Sequence, residues 1–300
     1  LRQAICTIST DSHTFKARGL HASLKDRTDA DFHCLLTDAP AKKDVSDIIW
    51  HANDSLAGDV AGRILDRYRG NALRWALKPI FILHLLNEYD RVIYVDNDIC
   101  FYSSPDFLFD ELGSQSILLT PHHYPSDPKK EPHWLEASLR VGLYNAGFIG
   151  ASRSGVEAMQ WWAECCAYNV RQSSWRGLFD DQRYLDLLPI LFNDVLVLRH
   201  KGCNVAGWNI DQCPRSEDVD GSILLDRNWP LVFVHYNAFT IGEILKGKDP
   251  LLRPLASEYE ALLQGFNEGF SLSGETNRRF SDLKLVARHL IWRMFRFFEA

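Results

Sequence analysis

The sequence is short of several things, and each shortage closes a route. No C-x-x-C pair occurs, and the seven cysteines (Cys6, Cys34, Cys100, Cys165, Cys166, Cys203 and Cys213) are odd in number. Neither a structural zinc site nor a full disulfide framework is expected from that spacing. Several of these thiols lie inside apolar runs, where cysteine packs as a small hydrophobe, so we expect reduced thiols and an intracellular, cytoplasmic setting. Positive charge is not in surplus. With 33 Lys and Arg against 39 Asp and Glu, the net charge is −6; no global field gathers phosphates, which argues against a general nucleic-acid binder. No apolar run approaches the length of a membrane span. No Gly/Ser-rich linker and no internal repeat is visible. Residues 4–10, "AICTIST", already read as a core strand, so no signal peptide is expected there.

What is present suffices for a large core: 300 residues, 46% hydrophobic and 12% aromatic, enough for one large domain or two small ones and unlike a disordered chain. The first half alternates strand and helix patterns. Residues 4–8, 32–36, 45–50 and 92–95 read as strands. Residues 10–24 read as a helix with polar start signals at Asp11 and Ser12. A longer helix is expected over 71–86, where apolar residues at 73, 77, 80, 81 and 85 follow a period near 3.6. Such alternation implies an α/β fold with a mostly parallel sheet covered on both faces. In the second half, residues 116–120, 144–152, "DVLVL" and "LVFVH" read as strands, with helices over 154–169, 181–188 and 257–266. Residues 121–133 and the acidic stretch 214–222 read as loops.

The final segment stands apart. Residues 276–298 carry six Lys/Arg and one acidic residue. Leu283, Ala287, Leu290, Met294 and Phe298 follow helical spacing, and Trp292, Phe295 and Phe297 widen that face. We expect a basic amphipathic helix over 275–300, following a domain over 1–274. It either docks on that domain or makes a peripheral contact with an anionic membrane surface or a partner.

The chemistry gathers at "RVIYVDNDICFYSSP", residues 91–105. A buried strand stops at Asp96-Asn97-Asp98 and an apolar run resumes at once. Ligands of parallel sheets sit beyond the carboxyl ends of the strands. In extended chain, residues i and i+2 point the same way, so Asp96 and Asp98 can present carboxylates to one point, with Asn97 facing elsewhere. Two hard oxygen ligands suit Mg²⁺ or Mn²⁺, and without a cation their repulsion is unfavourable. Asp-Asn-Asp is also good turn chemistry; its place after a buried strand is what favours the site. Arg74 and Lys78, four apart on one helix face, either reach a diphosphate or form a solvated basic stripe. His235 ends the apolar run of "LVFVHYNAF". As a third ligand its imidazole would favour Mn²⁺; a satisfied structural histidine is the other reading. Lys246 and Lys248 follow in "GEILKGKDP". His122, His123 and His133 read as loop residues beside an acceptor rather than as metal ligands.

With these residues in order, the chain resembles glycosyltransferases of the GT-A fold, in particular the retaining, glycogenin-like and bacterial lipopolysaccharide galactosyltransferase-like group. The resemblance runs over roughly residues 4–248 and rests on "STDSHTFKARGLHASLK", "LRWALKP", the D-x-D, "YNAGFIGAS", "LFDDQRYLDLL" and the strand ending in His235. It implies a Rossmann-like sheet and a metal-dependent hexosyltransferase that uses a nucleotide-diphosphate sugar, with a UDP-sugar favoured. The acceptor would be a hydroxyl of a saccharide or glycolipid, such as a bacterial surface glycan, and the anomeric configuration would be retained. It assigns metal ligation to Asp96, Asp98 and His235. Donor contacts fall to Thr7, Thr10, Arg74, Lys78, Asn97, Asn145, Gly147 and one of Lys246 and Lys248; the reacting face falls to Asp181 and Gln182. Bulge packing at Asn145 and Gly147 and a helix N-cap at Asp181 are the structural alternatives. The family's H-x-x-G-x-x-K-P-W ending is absent. A non-catalytic nucleotide-sugar-binding domain is the main alternative function. A sugar nucleotidyltransferase fits less well, because "CTISTDSHTF" has no glycine for a phosphate loop. A phospho-aspartyl phosphatase also fits poorly, because "DNDICFY" lacks small turn residues after its D-x-D.

Overall fold

The computed structural model describes residues 1–43, 47–173 and 176–280, without the side chains of 277–280. Its strands are β1 (Gln3–Ser9), β2 (Asp31–Leu36), β3 (Ile48–Ala52), β4 (Arg91–Val95), β5 (Ile99–Phe101), β6 (Ile117–Pro121), β7 (Tyr144–Ser152), β8 (Val195–Val197), β9 (Arg215–Glu217), β10 (Ile223–Leu225), β11 (Trp229–Pro230) and β12 (Phe233–His235). The helices are α1 (Thr14–Leu24), α2 (Asp59–Arg67), α3 (Gly70–Leu86), α4 (Asp106–Leu112), α5 (Pro132–Val141), α6 (Val156–Tyr168), α7 (Leu188–Leu191), α8 (Ala238–Leu245), α9 (Leu252–Gln264) and α10 (Leu272–Phe280).

The central sheet has seven strands in the order β3-β2-β1-β4-β7-β6-β8. The first four run parallel, β7 runs against both β4 and β6, and β8 is parallel to β6. One strand thus opposes six, so the mostly parallel α/β reading holds. The alternation of side chains along β4 explains why its sequence is apolar throughout. Val92 and Tyr94 join the core under α3 and α6, with Phe81 and Trp162. Ile93 and Val95 join the core under α1 and α4, with Leu20 and Phe109. A strand buried on both faces has no polar face to alternate with. The order reverses between β1 and β4, because β2 and β3 extend one way from β1 and the remaining strands extend the other. The crevice at that reversal is the usual ligand position of an open α/β sheet, and β4 ends there, at Asp96.

Several local expectations shift. The third strand spans Ile48–Ala52, two residues beyond the expected end at 50, and residues 45 and 46 of that expectation lie outside the described residues. Residues 182–187 form a 3₁₀ helix continued by α7. The strand at His235 is not in the main sheet: β12 pairs antiparallel with β5, with His235 opposite Ile99. The acidic stretch 214–222, expected to be a loop, contains β9, which pairs with β10 in a three-stranded sheet. Helix α5 was not foreseen. It opens on Pro132 and turns one face inward, with Ala137 buried and Trp134 and Val141 half-buried.

A third cluster, with Val234, Tyr236 and Tyr259 at its centre, packs under α8 and α9. At the C-terminal end, Leu272 is buried and Glu275 of α10 pairs with Lys16 of α1 at 2.7 Å. Most of the expected amphipathic segment, residues 281–298, lies outside the described residues.

Candidate functional site

Asp96, Asp98 and His235 converge: each offers a ligand atom, and these atoms lie within 4.8 Å of one another. Among the described residues no other grouping of three His, Cys, Asp or Glu side chains does so. Backbone pairing brings them together. The Asp96 amide donates to the Gly147 carbonyl (2.9 Å) and the Tyr236 amide to the Asp98 carbonyl (2.8 Å), which locks the D-x-D turn between β7 and β12. His235 Nε2 stands 3.1 Å from Asp98 Oδ1. Burial works against both charges, but their mutual attraction outweighs it. Asp98 is held below the usual carboxylate range and the imidazole is raised above its own.

Lys78 is the hub of the remaining site. Its side chain is 5% exposed and lies 3.2 Å from Asp96 Oδ1 and 3.3 Å from Asp181 Oδ2. It also donates to the Ala146 carbonyl at 3.0 Å. Burial disfavours the ammonium, yet Asp181, Asp96 and Asp180 together raise its pKa. Pro79, the next residue, lies inside α3 and removes one rung of the helix ladder beside it. Burial pushes the Asp181 carboxyl up to about 8, against the pull of Lys78. Asp181 Oδ2 is buried and makes no hydrogen bond. The N-cap alternative for Asp181 does not hold, because its side chain makes no cap bond. Asp180 does that work instead, accepting from the Gln182 amide at 3.0 Å. The Gln182 side chain is engaged at both ends: Oε1 accepts from Ala146 N (3.2 Å) and Nε2 donates to Val141 O (2.9 Å).

Asn145 and Gly147 belong to the same cluster. Asn145 Oδ1 accepts from the Gly147 amide at 2.6 Å. A Cβ on Gly147 would lie 2.7 Å from Asn145 Oδ1, 2.7 Å from His235 Cε1 and 3.0 Å from Asp96 Oδ2. The D-x-D lies in a turn closed by the Ile99 amide on the Asp96 carbonyl (3.1 Å) rather than in the extended chain expected, and Asn97 ties that turn to β1 through Ile8 O (3.2 Å) and Ser9 Oγ (3.1 Å). Thr7 is wholly buried on β1 with an unpartnered hydroxyl, and Thr10 Oγ1 bonds His13 Nδ1 at 2.8 Å. Three expected donor residues are engaged elsewhere. Arg74 donates to Asn71 of its own helix. Lys246 and Lys248 both grip Glu243, at 2.9 and 2.5 Å.

Two neighbours were not foreseen. Tyr94 donates its hydroxyl to Asp96 Oδ1 at 2.7 Å; the i, i+2 spacing on β4 was the available signal. Trp208 stands edge-on to His235 with ring centroids 5.5 Å apart, and no local pattern marked it.

The residues present fit a divalent cation. The donor set is two hard carboxylates and an imidazole, the combination that favours Mn²⁺. His235 Nδ1 is buried without a partner. The space a Gly147 Cβ would fill opens directly onto Asp96 and His235.

No family model matches the chain. Among solved structures, mouse xyloside xylosyltransferase 1 superposes with a TM-score of 0.50 at 14% identity, covering 80% of this chain and 99% of that one. The galactosyltransferase LgtC, solved with donor and acceptor sugar analogs, gives a TM-score of 0.50 at 14% identity, covering 77% and 86%. The fold is therefore the GT-A fold of glycosyltransferases. Two curated relatives come from Bacillus subtilis (strain 168). "Uncharacterized protein YfnF" is 35% identical over 177 residues, 57% of this chain and 57% of that protein, so this match spans little more than half of YfnF. "Uncharacterized protein YfnD" is 30% identical over 249 residues, 78% and 77% of the two chains. The chain belongs to the family of YfnD.

Proposed function

We propose that the protein is a metal-dependent glycosyltransferase that moves a sugar from a nucleotide-diphosphate donor, a UDP-sugar in first place, to a hydroxyl of a saccharide acceptor. The observation that carries this reading is the convergence of Asp96, Asp98 and His235 at the carboxyl end of β4, with buried Lys78 linking that cluster to Asp181. Asp96, Asp98 and His235 would hold a divalent ion there, which would supply Lewis-acid stabilisation of the charge on the leaving group. The rest falls to the chain. Lys78 supplies a fixed positive charge in a water-poor site, where it acts more strongly than in solvent. Asp181 Oδ2 lies 3.3 Å from Lys78 without a hydrogen bond; in its ionised form this carboxylate would stabilise a sugar with oxocarbenium character. Gln182 holds the β7 backbone in place beneath that sugar, since both ends of its amide are engaged. Contact of the diphosphate with Lys246 or Lys248 requires either lysine to exchange Glu243 for phosphate. We read the reaction as retaining, and residues 276–298 as a peripheral contact with the inner face of an anionic membrane. Among the described residues, no helix is long and apolar enough to cross a membrane.

The test is donor cleavage. A thermal-shift screen with UDP-, GDP-, CMP- and dTDP-sugars, with and without Mn²⁺, selects the donor through its stabilisation of the folded state. Asp96→Ala and Asp98→Ala should each abolish Mn²⁺-dependent hydrolysis of that donor while melting cooperatively. Parent-like turnover in either variant removes the D-x-D from the mechanism.

A further inference from the structure

Beside the metal cluster lies a cavity of about 550 Å³ whose walls come from α5, the segment after β8, and α8. Trp208 separates the two. It is buried, its Nε1 donates to the His122 carbonyl at 3.0 Å, and its ring edge meets His235. Trp134, which lines the cavity, is backed by a stack of rings that reaches Trp208 through His122. His122 lies on Tyr124 (centroids 4.5 Å apart, planes 6° apart), and Tyr124 on Trp134 (5.1 Å, 15°). Trp134 meets Phe239 edge-on at 5.9 Å. Phe239 is 37% exposed, and it lines the cavity. Each ring is held by the next, so the wall is formed before any ligand arrives.

The polar lining sets the sign. Glu131, Asp211 and Glu243 face the cavity with Lys248, and Glu243 already holds Lys248. The remaining carboxylates leave the cavity with no excess positive charge for a phosphate or nucleotide. Glu131 lies 3.8 Å from His133 and Asp211 is exposed, so both keep acceptor oxygens at the cavity rim that a purely apolar guest would leave unused. What fits is a ring with an apolar face for the indole and a rim of hydroxyls for the acids.

We propose that this cavity is a pyranose-binding subsite for a sugar of the acceptor next to the one that reacts, with Trp134 and Phe239 as its platform and Glu131 and Asp211 receiving hydroxyls. The proposal rests on the glycosyltransferase reading and names the acceptor class: a saccharide of at least two rings, entering from the α5–α8 side. Discrimination among acceptors then falls to Trp134 and Asp211, away from the metal.

Saturation-transfer NMR on the full chain tests it, with lactose, cellobiose, maltose and chitobiose as probes. At least one of the four should receive saturation from the protein. That signal should fall about ten-fold in Trp134→Ala, in keeping with the loss of one aromatic platform. It should also weaken in Asp211→Asn, an exposed position whose exchange leaves the packing intact. Thermal melting of both variants checks that they fold. Binding undiminished in both variants, or no binding by any of the four, overturns the subsite. Donor hydrolysis by the parent protein is read separately. Disaccharide binding that depends on Trp134, with no hydrolysis of any nucleotide sugar, would keep the subsite and remove the enzyme.

Discussion

Lys78 and Asp181 meet in the interior at 3.3 Å, the first on α3 and the second just before the 3₁₀ turn that precedes α7, with side chains 5% and 2% exposed. Neither has water to fall back on, so each sets the cost of losing the other. Lys78→Met removes the ammonium between Asp181 and Asp96, so Asp181 stays protonated and both acids lose their cationic partner. We expect a loss of about 2 kcal/mol in unfolding free energy, together with loss of donor cleavage. Urea denaturation measures the first. A midpoint equal to that of the parent would show that the pair holds nothing in place.

Gly147→Ala probes the metal cradle with one carbon atom. The added methyl would press on Asn145 Oδ1, His235 Cε1 and Asp96 Oδ2. Core packing elsewhere is untouched, so the variant should fold. Displacing ligands by about 1 Å typically costs about 100-fold in rate, and we expect at least that loss, together with weaker Mn²⁺ binding in calorimetry. Unaltered Mn²⁺ affinity would place the ion elsewhere.

Acid should weaken the fold through the histidines of β2 and β3. His33 Nδ1 lies 2.9 Å from His51 Nε2, and His33 Nε2 lies 2.9 Å from the Tyr89 hydroxyl. Burial first, and neighbouring imidazoles second, lower both histidines from 6.5 to about 4. Above pH 6.5 both rings are neutral in the folded and unfolded states, and stability is full. Between about 6.5 and 4 the unfolded chain binds protons that the folded one refuses, so stability falls with pH and then levels off. Urea midpoints at pH 7.5, 6, 5 and 4 should trace this decline, and His51→Leu should make it shallower. An equal slope in the variant would assign the effect to other groups.

Much of this was legible in the sequence because it depends on short-range rules. A strand buried on both faces must be apolar, so its abrupt end at Asp96 stood out; Asp98 does lie beside Asp96, but through a hydrogen-bonded turn rather than the extended-chain alternation expected. His235 was visible for the same reason, at the end of another apolar run. The partner strand of that run was not: β12 leaves the main sheet to pair with β5, and no local pattern encodes pairing. The Lys78–Asp181 pair was hidden likewise, since the two residues are far apart in the chain and meet only because α3 packs on α6 while the 3₁₀ turn after Asp181 packs on α6 and β7. Lys246 and Lys248 looked free for phosphate because nothing in "GEILKGKDP" says that Glu243 would take both. Helix α5 carries only a short apolar face, Trp134, Ala137 and Val141, directly after a Pro- and His-rich loop, and it supplies Trp134.

The antiparallel pairing of β5 with β12 also sets an order of events. Asp96 and Asp98 precede His235 in the chain, so synthesis supplies both acids before the imidazole that stands beside them. A nascent chain that has not reached His235 displays twin acids without it. Products truncated before His235 should therefore lack the Mn²⁺ affinity proposed for the cluster.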